Sequence, residues 1–225
     1  MTTTEQQAPS RAPRQDGQAT RQQILEIAGQ VFAERGFANA TSKEICARSQ
    51  ANVAAVNYHF EGKDGLYTAV LLEAHQRIMT LETLEALTAS ELSGEDKLRR
   101  LITELLASLG SPRLAWPAKV LARELLSPSP LLPAVLKKES FPKARATRRI
   151  IGELLSLPED DPAVLRSALN IFSPCLFLLI AHDSLSTTVL PGLDTEPQPL
   201  LEHMLVYALG GLAAIGEHHR KAATP

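Results

Sequence analysis

Residues 41–67 read TSKEICARSQANVAAVNYHFEGKDGLY, a pattern that predicts two short helices, a tight turn between them and the opening of a third. Residues 41–48 begin with hydroxyl side chains able to cap a helix N-terminus, and Glu44 follows Thr41 at capping-box spacing. Ile45 and Cys46 then face inward. The break at 49–52 has room only for a turn, and Asn52 can cap a second helix over 53–59. Two short helices joined by about three or four residues make helix-turn-helix geometry. Val56 and Phe60 sit one helical turn apart and face the core, which turns Val53, Ala54, Ala55, Asn57 and Tyr58 outward or to the flanks.

The outward set contains the side chains that reading duplex DNA requires. Asn57 can pair with an adenine edge, Val53 and the two alanines offer apolar contact to thymine methyls, and Tyr58, His59 and Lys63 suit phosphate oxygens. Thr41, Ser42 and Lys43 at the head of the first helix, with Asn52 at the head of the second, complete the candidate DNA contacts.

The segment 20–72 resembles the DNA-binding domain of the TetR family of bacterial transcriptional regulators. Ile24, Ala28, Phe32, Gly36 and Phe37 carry the likeness in the first helix and its exit, then Thr41, Ile45 and Ala47, then the string of Tyr58, His59, Phe60, Lys63, Leu66 and Tyr67. The run VNYHFEGKDGLY is similar to the CecR-like branch, and so are ARELLSPSP at 122–130 and LLSLPEDDP at 154–162, so the likeness covers most of the chain. It implies an all-α fold with an N-terminal three-helix helix-turn-helix domain and a C-terminal helical ligand-binding and dimerisation domain. It further implies a homodimer on double-stranded DNA, at a palindromic operator that a repressor leaves when a small-molecule effector binds. Gln50 and Ala51 stand where the family usually has Gly and Val, and a glutamine held in the left-handed region costs about 1–2 kcal/mol. Without the YHF-x2-K-x2-LY string, two short helices would fit an ordinary helical bundle as well.

At 225 residues the chain can build one or two domains with a sizeable core, and 44% hydrophobic but only 4% aromatic residues favour helix over strand. A formal net charge of −2 gives no bulk attraction to nucleic acid, so DNA binding has to come from a local arrangement of groups. Cys46 and Cys175 lie far apart without metal-ligand spacing, which argues against a zinc site and against a disulfide framework. Neither cofactor nor metal is expected. The first 18 residues have no apolar stretch resembling a signal peptide, so the expected location is cytoplasmic. The apolar run at 171–181 contains Ser173 and Pro174 and falls short of the roughly 18 residues of a bilayer span, so no membrane association is expected.

The expected order along the chain is a disordered tail over 1–18, the DNA-binding domain over 19–67, an effector-binding and dimerisation domain over 68–219 and a tail over 220–225. Arg11 and Arg14 in the first tail are either solvated or form a minor-groove arm. Thr20 and Gln23 can cap the first helix, which Gly36 stops. Lys63 opens a long linking helix, 63–87, whose N-terminus can meet a phosphate. Helices over 95–109 and 116–126 follow, then the breaker SPSP, then a helical segment 131–156 kinked or split at Pro142. Asp161 caps and Pro162 opens helix 162–184, where Pro174 leaves the Asn170 carbonyl without its N–H partner. A loop over 185–198 leads to the last helix, 200–217, in which Gly210 and Gly211 make close helix–helix approach plausible. The family resemblance places the dimer interface on helices 162–184 and 200–217; the alternative is that they only close the monomer's core.

His182, Asp183 and Ser184 occur together, but consecutive helix residues point about 100° apart and cannot form a catalytic triad among themselves. HExxH, a glycine-rich phosphate loop and CxxC are all missing from the sequence, so an enzyme is not expected. The candidate effector contacts are Trp116, Arg123, Phe172, Cys175, Phe177 and His182, each of which also fits a core or interface role. Arg123, set among Leu121, Ala122, Leu125 and Leu126, must reach solvent or find an acid such as Glu124, Glu139 or a ligand carboxylate. Two other readings remain: a helical small-molecule carrier or enzyme with a vestigial helix-turn-helix, and a regulator controlled by a protein partner. A carrier has no reason to keep the outward face of 53–63 polar.

Overall fold

The structure, a computed structural model, describes residues 13–111 and 113–223, without the side chains of 13–16, 108–110, 179–186 and 223. Arg11 and the side chains of Arg14 and His182 therefore lie outside the described residues. The elements in chain order are α1 (Pro13–Asn39), α2 (Ser42–Ser49), α3 (Val53–Phe60), α4 (Lys63–Ile78), α5 (Leu81–Ala89), α6 (Gly94–Gly110), α7 (Ala115–Leu126), α8 (Leu132–Val135), α9 (Phe141–Leu155), α10 (Pro162–Ser184) and α11 (Pro197–Ala223). Two π-helical turns, Leu136–Ser140 and Leu185–Val189, join α8 to α9 and follow α10. The all-α fold expected from the sequence is the fold observed. The chain divides into two compact units, Met1–Val70 and Leu71–Pro225.

In the first unit, Ile24, Leu25, Ala28, Val31 and Phe32 of α1 are buried, and so are Ile45 of α2, Val56 and Phe60 of α3, and Leu66 and Tyr67 of α4. The rings of Phe32 and Tyr67 meet edge to face with centroids 4.6 Å apart. Burying each such side chain contributes about 1.5–3 kcal/mol, which is what holds four short elements as one unit. Helix α1 is described from Pro13 on, so residues 13–18 are helical rather than tail, and Thr20 lies inside the helix instead of capping it. Gly36 breaks the helix as expected, with φ 74° and ψ 169°.

In the second unit the expected linking helix 63–87 is two helices. Helix α4 ends at Ile78, and the Thr80 hydroxyl accepts the Thr83 amide at 3.1 Å to start α5. A hydroxyl that caps competes with helix continuation, and here it wins. Leu98, Ile102 and Leu106 of α6, Ile150 and Ile151 of α9, Val164 and Ile171 of α10, and Leu201, Leu205 and Leu212 of α11 form the core. Pro142 does split the segment 131–156, and the split takes the form of a π turn in which the Phe141 amide reaches the Leu136 carbonyl. The wider turn absorbs the hydrogen bond that proline cannot make.

The two C-terminal sequence strings have local reasons. In ARELLSPSP, the buried Glu124 carboxylate accepts the Ser129 amide at 2.9 Å and the Ser129 hydroxyl at 2.6 Å, folding the breaker back onto α7. In LLSLPEDDP, Ser156 adopts φ 56°, the Leu157 amide returns to the Gly152 carbonyl at 3.0 Å, and Asp161 caps α10 through the Ala163 amide at 2.7 Å. A β-carbon at Gly152 would lie 2.6 Å from the Leu157 carbonyl oxygen, so this helix exit requires glycine.

Helix α11 is longer than the expected 200–217 and includes residues 220–223 that were expected to be tail. Among the described residues, Pro197–Ala222 is the one helix long and apolar enough to cross a membrane by length and composition. A β-carbon built at Gly210 or Gly211 meets nothing within 4 Å, so these glycines do not serve close packing inside the chain.

Candidate nucleic-acid interface and C-terminal groove

The helix-turn-helix is set by three local devices. The Thr41 hydroxyl accepts the Glu44 amide at 3.2 Å and starts α2. Gln50, at φ 55°, ends α2 in the left-handed region that its position in the motif demands. Asn52 then starts α3, its side chain accepting the Ala55 amide at 2.8 Å. Both caps are those expected from the sequence. The Glu44 carboxylate does not close the capping box; it pairs with Arg48 at 2.7 Å, and Arg48 also reaches Glu34 at 2.9 Å. That second pair ties α2 to α1 on the outer surface and raises the Arg48 pKa, mainly through its hydrogen bond to Glu34.

On α3, Val56 and Phe60 point into the core, which leaves Val53 51% and Tyr58 84% exposed. Ala54 and Asn57 are exposed on the same helix, while Ala55 and His59 are half-buried. The Tyr58 and His59 rings stack edge to face with centroids 4.9 Å apart. Thr41, Lys43 and Asn52 are exposed and Ser42 is half-buried, with Thr41 and Asn52 using their side-chain oxygens as caps. Lys63 is half-buried, its ammonium 4.6 Å from the centroid of the Phe37 ring, so this charge is held by the scaffold rather than loose in solvent. Two supports were not legible in the motif. The Arg21 guanidinium lies 4.9 Å from the Phe60 ring centroid, and the Gln23 amide donates to the Ser49 carbonyl at 3.0 Å, so α1 braces both helices of the motif.

The described candidate effector residues differ in burial and surroundings. Trp116 and Cys175 are buried, and the Arg77 guanidinium lies 5.0 Å from the centroid of the Trp116 ring. Burial pushes the Cys175 thiol up to about 11, as expected of a small core residue. Phe172 packs half-buried against the core, and Phe177 is 57% exposed. Arg123 reaches the exposed side of α7, and the acid buried beside it, Glu124, is engaged by Ser129. A groove of about 770 Å³ in the second unit is lined by none of the described candidates. It lies along α10 and α11, with Ile102 of α6, Ser167, Asn170 and Pro174 of α10, and Tyr207 and Gly211 of α11 among its walls. Sequence reasoning missed this groove, although Pro174, Gly210 and Gly211 stand out in the sequence and all line it.

A second polar cluster sits at the π turn before α9. Glu139, only 7% exposed, pairs with Lys143 at 2.9 Å and accepts the Gln76 amide at 3.3 Å. Lys143 also donates to the His75 carbonyl at 3.1 Å, and Ser140 lies 3.4 Å from the His75 imidazole. Burial, reinforced by the Lys143 charge, pushes His75 down to about 4 despite the opposing pull of Glu139. For Glu139 burial acts upward, but the hydrogen bond and charge of Lys143, with Gln76 and His75, hold it below the usual glutamate value.

Comparison with known proteins follows the same division. Residues 24–70 match the family profile described as bacterial regulatory proteins, tetR family. Residues 94–212, more than half of the chain, match that of the HTH-type transcriptional dual regulator CecR, C-terminal domain. The chain is 32% identical over 90 residues to "Probable HTH-type transcriptional regulator YttP" of Bacillus subtilis strain 168, covering 40% of this chain and 43% of that protein. It is 33% identical over 64 residues to the HTH-type transcriptional regulator UidR of Escherichia coli K12, covering 28% of this chain and 33% of that one. It is 40% identical over 53 residues to the HTH-type transcriptional dual regulator CecR of Shigella flexneri, covering 24% of this chain and 23% of that one. The matched segments thus span less than half the length of these relatives. Among solved structures, the fold is similar to a TetR-like transcriptional regulator from Rhodococcus sp. RHA1, with a TM-score of 0.66, 22% identity and coverage of 90% and 99% of the two chains. It is also similar to the transcriptional regulator FadR of Bacillus subtilis in complex with stearoyl-CoA, with a TM-score of 0.62, 18% identity and coverage of 84% and 98%.

Proposed function

This chain belongs to the TetR family of bacterial transcriptional regulators, in its CecR-like branch, and from that premise we propose that it is a DNA-binding repressor released from a palindromic operator by a small-molecule effector. The observation that carries the reading is the outer face of α3. An asparagine, a tyrosine and small apolar side chains stand exposed there on a helix capped at its start and braced from behind by α1. Such a helix fits the major groove, where the asparagine reads a base edge and the tyrosine meets phosphate.

The protein acts as a homodimer in the cytoplasm, joined through α10 and α11. Leu169, Phe177, Val206 and Tyr207 on these helices are all more than half exposed in the single chain, an apolar surface that a second copy would cover. That surface also accounts for the apolar length of α11 without a membrane. A C-terminal domain that takes a small molecule is supported by the likeness to FadR, whose structure holds stearoyl-CoA.

The test separates the two kinds of contact. Asn57→Ala should lose discrimination at one base pair of a selected site, worth about 1–3 kcal/mol, whereas Tyr58→Ala should weaken binding to all duplexes alike. Fluorescence anisotropy against matched and single-substitution duplexes reads both. Variants that bind every duplex as the unsubstituted protein does would remove α3 from the interface.

A further inference from the structure

The groove along α10 and α11 carries features that the packing within one chain leaves unused. Ser167 is 1% exposed and its hydroxyl has no hydrogen-bond partner, an expensive state for a buried polar group. About two turns further along the same helix, Pro174 has no N–H to offer the Asn170 carbonyl. Gly210 and Gly211 face open space. Apart from the imidazole of His203 and the phenol of Tyr207 the lining holds no ionisable side chain, so it suits an occupant that is mostly apolar, with a group able both to donate and to accept a hydrogen bond.

One side chain of this protein meets that description and itself lacks cover. Among the described large apolar side chains of α10 and α11 that are exposed, Leu165, Leu169, Leu176, Phe177, Val206 and Tyr207, only Tyr207 bears a hydroxyl, and it is 77% exposed at the groove's own rim. A residue on the rim of a groove can fill the same groove of a two-fold-related copy, because such an interface pairs each patch with itself. The missing side chains at Gly210 and Gly211 let the partner's backbone come close enough for the ring to enter.

We propose that the groove is filled by Tyr207 of a second copy. In a reciprocal exchange, each Tyr207 crosses the other chain's Gly210–Gly211 step and sets its hydroxyl against the polar floor formed by Ser167 and Asn170. The tyrosine O–H donates to the Asn170 carbonyl, and its oxygen accepts the Ser167 hydroxyl. This inference rests on the dimer reading above and adds which residues lock it.

Sedimentation equilibrium on the full chain tests it, with the unsubstituted protein, Tyr207→Phe, Ser167→Ala and the double variant, each first checked for native helicity and melting temperature. The unsubstituted protein dimerises, and Tyr207→Phe, which keeps the ring and deletes only the hydroxyl, raises the dimer dissociation constant about tenfold or more. Ser167→Ala weakens the dimer when Tyr207 is present and adds little once Tyr207→Phe has been made, because the two share one contact. A stable dimer whose dissociation constant is unchanged by Tyr207→Phe, or in which the two substitutions act additively, overturns the Tyr207 lock and leaves the dimer standing. An unsubstituted protein that stays monomeric at micromolar concentration overturns the dimer reading itself.

Discussion

Gly65 sits so close beneath the carbonyl oxygen of Phe60 that no β-carbon fits between them. The corner from α3 to α4 is therefore built on a glycine, with Glu61 at φ 60° and Gly62 at φ 101° completing the reversal. Because the obstacle is backbone, an added methyl cannot be relieved by a side-chain rotation. Gly65→Ala should destabilise the protein by about 1–3 kcal/mol and displace the end of the reading helix, lowering DNA affinity with it. Gly17→Ala, in α1 with nothing within 4 Å of the added carbon, is the matched control and should stabilise slightly through helix propensity. Thermal unfolding of the two variants distinguishes a steric cause from a general intolerance of alanine.

Acidification should unfold this protein earlier than its carboxylates alone would require. His75 binds its proton only near pH 4 in the folded state, against an ordinary value of 6.5, so between those values the unfolded chain binds the extra proton. Stability therefore rises with pH across that window and is lost as pH falls from about 6.5 toward 4, by up to roughly 3 kcal/mol. Glu139, held below its usual value, has the same sign: its contribution is present above the ordinary glutamate pKa and is lost as pH falls through its lower folded value. Urea midpoints measured from pH 7 to pH 4.5 should fall, and His75→Gln should flatten the slope. An unchanged slope in His75→Gln would place the acid sensitivity elsewhere.

A charge in the middle of the α10–α11 face should separate assembly from folding. Gly211 faces open space in the single chain, so Gly211→Glu costs the monomer little more than a change in helix propensity. In a dimer the same carboxylate would be buried without a partner, which costs several kcal/mol. The expected result is a folded monomer, by circular dichroism and light scattering, that has lost its affinity for a full palindrome. Ala208→Glu, at a residue 8% exposed, should do the same with an added cost to the fold.

The sequence was most legible where structure is local. Thr41, Asn52 and Asp161 cap the helices they were expected to cap, because a cap involves residues only a few positions apart. Gln50 adopts the left-handed conformation that its place in the turn implied. The interruption at Met79 and Thr80 was hidden, since a threonine inside an apolar periodicity reads equally as helix surface or as cap. The contact of Gln76 with Glu139, 63 positions apart, has no sequence signal at all. The outward face of α3 could be read from period alone, but the groove could not. It depends on which sides of α6, α10 and α11 face one another, and on glycines with open space beside them.

The most direct test of the account is selection of bound sites from a pool of random duplexes, followed by measurement of chains bound per duplex. The account predicts enrichment of one two-fold symmetric sequence, with half-site centres about 34–36 Å apart or a multiple of it and two chains on each duplex. Failure to enrich any symmetric sequence, with all duplexes bound alike or by single chains, would contradict it.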